Sequence, residues 1–110
     1  MNVSRISEAK PFEVRPGRAR RILHTDHLMM VAFDFTDGPA AQPDPPHTHP
    51  HEQVTYVAQG DVMFFIGEES VRLAAGDMVA IPSNVPHRIQ LLTPTARLID
   101  TFTPLRRDFL

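Results

Sequence analysis

Proline constrains this chain more than any other residue: eleven of them among 110 residues cut it into short pieces. Proline lacks the amide hydrogen that a helix interior or a central strand uses, so regular elements must lie between these cuts. What lies between are strand-length runs of apolar and β-branched residues: LMMVAFDF, QVTYVA, DVMFFIG, SVRLAA, DMVAIP, HRIQLL and ARLIDTF. Turn formers separate them, namely TDGPAAQPDPP, QGD, GEES, AAGD, PSNVP and TPT. No stretch carries a helical repeat of useful length. Many short strands in a small chain predict an all-β domain, either a sandwich, a jelly roll or a barrel.

Composition excludes several classes. The longest apolar runs are strand-sized, far too short to cross a bilayer as a helix, so no membrane partner is expected. The N-terminal MNVSRISEAKPFEVRPG has no apolar segment behind its charges, which predicts no signal peptide. A net charge of −2 makes no general case for nucleic acid. Cysteine is absent, which removes disulfides and thiolate metal sites and fits a cytoplasmic setting. Any metal must be held by nitrogen and oxygen. The basic run RPGRARR, with Arg15, Arg18, Arg20 and Arg21, reads first as a solvated edge strand. Its functional readings are a dimer contact or attraction of an anionic substrate.

Alternation along the strands tells which side chains share a face. His47 and His49 share one, with Gln53, Thr55 and Val57 at the same parity if Pro50 does not break the register. His87, Ile89 and Leu91 form a second such face, and Leu98, Asp100 and Phe102 a third. The polar members of these apolar faces carry the information: His47, His49, Gln53, His87 and Asp100. Two histidines at i and i+2 on a strand place two imidazoles side by side, as a bidentate metal site requires. Imidazole with an amide oxygen suits one divalent ion, Ni, Zn, Fe or Mn, and ligand type does not choose among them. Asp100, among Leu98, Ile99 and Phe102, is either functional or a strand end in water, because an unpaired buried carboxylate is costly.

Two segments resemble a known pattern. HTHPHEQVTYVAQG is similar to the first motif of the cupin superfamily, where two alternating histidines are followed by Glu, Gln or His and then glycine. In that register Gln53, seven residues before Gly60, is the third ligand; Glu52 is out of register and His51 is a rim residue. GDMVAIPSNVPH is similar to the second motif, with Gly76, Pro82 and His87 as the last ligand. Asn84 stands where the family usually has glycine, and asparagine is the residue that best replaces glycine in a left-handed turn. The resemblance implies a cupin double-stranded β-helix, a jelly-roll barrel, with a metal on His47, His49, Gln53 and His87. One departure is the eight-residue segment PAAQPDPP between Gly38 and His47, three longer than the general motif and placed to alter access.

The ending DTFTPLRRDFL, with LMMV and HPHEQ, narrows the resemblance to the small pectin-degradation (KdgF-like) cupins. That family opens 4,5-unsaturated uronates to linear keto acids. The resemblance implies a metal-dependent enzyme of lyase or isomerase type acting on an unsaturated sugar acid. Asp100 would be its acid or base, Phe102 the surface for the sugar ring and Arg106 the receptor for the carboxylate. Arg106 can instead simply pair with Asp108. The alternatives are another metal-dependent cupin enzyme, such as an Fe dioxygenase or a sugar isomerase, and a non-catalytic cupin that binds a small ligand. Residues 1–20 are expected to form an N-terminal extension or edge strand that makes a homodimer, and residues 21–110 the barrel.

Overall fold

All seven apolar runs become strands in the computed structural model, which describes residues 1–110. Two more strands precede them. In chain order these are β1 (Phe12–Arg15), β2 (Arg18–His24), β3 (Met29–Phe35), β4 (Glu52–Gln59) and β5 (Val62–Ile66). There follow β6 (Glu69–Leu73), β7 (Met78–Ile81), β8 (His87–Leu91), β9 (Ala96–Thr103) and a 3-10 turn at Arg107–Phe109. No helix is long and apolar enough to cross a membrane.

The strands form two antiparallel sheets, six in the order β1-β2-β3-β9-β4-β7 and three in the order β6-β5-β8. β2 runs without a break through position 20 and pairs with β3 along its whole length. Residues 40–47 extend the smaller sheet beyond β8. The amides of Ala40, Asp44 and His47 donate to the carbonyls of Leu91, Ile89 and His87, at 2.9, 2.9 and 3.0 Å. The prolines of PAAQPDPP prevent a full ladder here, so the segment follows its neighbour without becoming a regular strand.

The expected alternation holds where it matters. Gln53, Thr55 and Val57 are buried on β4 while Glu52, Val54 and Tyr56 are exposed. On β9, Ala96, Leu98, Asp100 and Phe102 are buried together. The apolar members close two clusters. The larger is built around Phe35, Val57, Val62, Phe64, Leu91 and Leu98. The smaller holds Met29, Val31, Phe102 and Leu105, with Phe109 against it. Each fully buried side chain of this size contributes roughly 1.5–3 kcal/mol, so the apolar members hold the shape and the polar ones are free to be functional. The β4–β5 turn needs Gly60, whose φ is +83° and where a Cβ would run into the Thr95 carbonyl. Asn84 has φ 63°, the left-handed conformation expected of it.

Candidate metal centre and cavity

Three histidines from two segments of the chain meet at one end of the barrel. His47 and His87 are cross-strand partners whose amides and carbonyls bond reciprocally, at 3.0 and 2.9 Å. His49 follows two residues past this bridge, and the Asn84 amide donates to its carbonyl at 2.9 Å. The left-handed turn at Asn84 thus anchors the strand end that carries His49. The ring centroids stand 4.2 Å (His47–His87), 4.8 Å (His49–His87) and 5.7 Å (His47–His49) apart. One nitrogen from each ring lies within 4.8 Å of the others.

The hydrogen bonds fix which nitrogen faces inward. Carbonyl oxygens only accept, so His49 Nδ1–H donates to the His51 carbonyl at 3.0 Å and His87 Nδ1–H to the Val85 carbonyl at 2.8 Å. The Nε2 atoms are left with lone pairs. His87 Nε2 is buried with no partner, and His49 Nε2 faces Gln53 Oε1 at 3.1 Å. Two acceptors face to face and one orphaned acceptor are unfavourable by themselves; a cation among them satisfies all three. Burial, the first cause in each case, lowers the pKa of all three imidazoles, reinforced for each by the Arg106 charge. For His47, which also feels the other two rings, it falls to about 4. The rings are therefore neutral at pH 7, as ligands must be. The donor set fits a divalent ion.

A second chain of bonds runs away from the histidines. Gln53 Nε2 donates to Thr55 Oγ1 at 2.9 Å, and Thr55 Oγ1 donates to Asp100 Oδ1 at 2.6 Å. The order is forced. An ionised carboxylate only accepts, so the Thr55 hydroxyl must point at Asp100 and accept from the Gln53 amide. That turns the Gln53 oxygen towards His49. The register makes this contact, because Thr55 lies directly opposite Asp100 and Gln53 opposite Phe102 across β4 and β9. Asp100 is 9% exposed in mid-strand, not at a strand end in water. Burial is the main cause that raises its pKa to about 6, against the opposing pull of Thr55, Arg106 and Gln53.

Thr55 is the link that sequence reading passed over, noted for its parity and given no role. Thr55→Val keeps the shape and removes the hydroxyl, freeing the Gln53 amide to turn. We expect metal affinity to fall about tenfold or more, the usual effect of losing such a supporting bond, with the strand pairing unchanged. Metal titration of the two proteins measures it; equal affinities would remove Thr55 from the site.

These groups border a cavity of about 370 Å³. His47, Gln53 and His87 line it together with Asp100, Phe102 and Arg106. Phe102 stacks edge-on against His49 (5.6 Å) and Phe109 (6.0 Å). Arg106 lies over Phe109 at 4.1 Å and over Phe102 at 5.3 Å, and it does pair with Asp108, at 2.8 Å. Every candidate site residue thus lies at this one end, His49 through its ring contacts rather than on the cavity wall. His51 is outside the cluster: its Nε2 bonds the Leu105 carbonyl at 3.1 Å, tying down the C-terminal segment. His24 and His27 are exposed and are not part of the cluster.

The basic run is not simply a solvated edge, because β2 pairs Arg18 with Phe35 and Arg20 with Phe33, and cross-strand partners share a face. Both arginines line the cavity, and only Arg21 of the β2 arginines takes the other face.

The cupin domain family matches residues 33–102, from the middle of β3 to the far end of β9. The chain belongs to the cupin family. Among similar proteins, pectin degradation protein KdgF of Dickeya dadantii is 37% identical over 108 residues, 96% of each chain. KdgF from Halomonas sp., a solved structure, is 36% identical with a TM-score of 0.86, over 96% of this cupin and 94% of that chain. An RmlC-like cupin from Shewanella frigidimarina is 31% identical with a TM-score of 0.89, over 100% of this cupin and 96% of the other.

Proposed function

We propose that this cupin opens the ring of a 4,5-unsaturated uronate to the linear keto-deoxyuronate, in the cytoplasmic breakdown of pectin or alginate. The carrying observation is Asp100: a buried carboxyl with a pKa raised to about 6, lining one cavity with the His47 and His87 imidazoles of the three-histidine cluster and the Arg106 guanidinium. The likeness to KdgF along nearly the whole chain supports the reading.

The reaction needs little from the protein. The anomeric hydroxyl loses its proton as the ring C1–O5 bond breaks, and the enolate so released is protonated at C4 to give the ketone. Atoms balance, and one proton is moved with none consumed, so a single carboxyl can take it and return it. Asp100 does this best with a pKa close to the working pH, which its burial supplies. Phe102 packs against the sugar ring, and Arg106, with donors left over from Asp108, receives the carboxylate. His47, His49, Gln53 and His87 hold one divalent ion, Ni, Zn, Fe or Mn. That ion supplies a Lewis acid for the sugar oxygens.

The test is incubation of metal-loaded protein with unsaturated galacturonate. Accelerated loss of the conjugated-alkene absorbance, abolished by a chelator, is expected. Unchanged absorbance with oxygen uptake by the iron-loaded protein would instead favour a dioxygenase, and saturable binding with no turnover a ligand-binding cupin.

We also propose a homodimer through the N-terminal strands, because edge strand β1 leaves Phe12 and Val14 61% and 45% exposed. Mass measured across a dilution series should show two chains at high concentration; a monomer throughout ends this.

A further inference from the structure

Of the inward-facing arginines on β2, one is neutralised and one is not. Arg18 makes a two-pronged pair with Asp44, at 2.6 and 3.0 Å, and a third bond to Asp37 at 3.0 Å. Arg20, two residues on and on the same face, pairs with no carboxylate. Its guanidinium lies over Phe109 at 4.2 Å and over Phe12 at 5.1 Å, and its Nε is buried without a partner.

Phe109 therefore carries two guanidinium groups, since Arg106 stands over the same ring at 4.1 Å. Between them they have one carboxylate, Asp108, which is bonded to Arg106 and more than half exposed. Aromatic faces hold a guanidinium by its plane and leave the N–H groups on its edge free. An orphaned buried N–H costs about 1–3 kcal/mol, and two like charges on one ring repel. One anion relieves both. Arg20 and Arg106 line the cavity that holds His47, His87 and Asp100, so that anion belongs to the molecule bound there.

We propose that Arg20 determines specificity: held by Phe12 and Phe109, it joins Arg106 in receiving the carboxylate of an anionic sugar. The inference rests on the function proposed above and deepens it. It also brings β1 into the site, because Phe12 comes from that strand.

Binding of saturated galacturonate and of galactose to the metal-loaded protein, by titration calorimetry, tests this without requiring turnover. The wild type should prefer galacturonate. R20M should weaken galacturonate roughly tenfold or more, the loss of one charge-assisted contact, and leave galactose within about twofold. R20K, which keeps the charge without the fork, should fall between the two and serves if R20M does not fold. A wild type without preference, galacturonate binding unchanged in both variants, or equal weakening of both sugars overturns the proposal. Turnover of unsaturated galacturonate is read separately. If the wild type opens no ring while R20M still loses the acid selectively, the reaction is wrong and the role of Arg20 stands.

Discussion

Asp100→Asn should abolish the proposed ring opening and, in chelator-treated protein, should make the fold more stable. The first effect follows from the proton the carboxyl must move; losing such a group typically costs 10²–10⁴-fold, read as initial rate at saturating substrate. The second follows from burial. The Asp100 pKa rises from 3.8 to about 6, so the folded state holds its proton more tightly than the unfolded chain does. A group of that sign contributes fully below pH 3.8, and its contribution is lost as pH rises through about 6. Above that window the buried charge costs about 2–3 kcal/mol. Asparagine keeps an oxygen for Thr55 and carries no charge, so melting should rise by roughly 5–10 °C at pH 7.5. At pH 3.5, where both proteins are uncharged at this position, the difference should vanish. A variant that is inactive but no more stable at neutral pH would show that the carboxylate is solvated, and the assignment of Asp100 as a tuned acid would fail.

His87→Ala should empty the metal centre. His87 brings a buried lone pair without any partner, and it holds its place through backbone bonds to His47 that alanine keeps. The strand should therefore survive while metal content falls from one ion per chain to near zero after dialysis, with activity lost in step. His51→Ala makes the contrast: its ring is bonded to the Leu105 carbonyl, so metal content should remain. Retention in H87A, or loss in H51A, would rewrite the ligand set. Because the three imidazoles have lowered pKa values, protons should compete for them only below the usual histidine range. Metal analysis after dialysis at stepwise lower pH measures this.

Much of the fold was legible because apolar alternation reports burial directly. The runs around Val57 and Leu98 read correctly since alternate side chains are buried there, the apolar ones forming the core. The histidine cluster was legible for a different reason, since three of the four proposed ligands lie within seven residues and the fourth follows a turn that Asn84 announces. Alternation fails where both faces are polar. In RARRILH the inward residues Arg18 and Arg20 look no different from Arg21 beside them, and only the pairing with Phe35 and Phe33 separates them. Asp100 was ambiguous because a carboxylate near the chain's end can sit in water or in the interior; its partner Thr55 lies 45 positions away, across two strands that only folding brings together. Arg18 and Asp44 pose the same difficulty over 26 positions.

The eight-residue segment before His47 is more than a detour. By running along β8 it delivers Asp44 to the Arg18 guanidinium and screens one of the two positive groups that β2 turns inward. Segment length thus acts as an electrostatic mask. With it in place, Arg20 and Arg106 would be the groups left to receive the single carboxylate of the proposed ligand. A relative with a shorter connection and no aspartate at this position would uncover Arg18 as well, and its cavity would favour ligands carrying a second negative charge. Sorting of this kind among small sugar acids would arise without any change to the metal ligands.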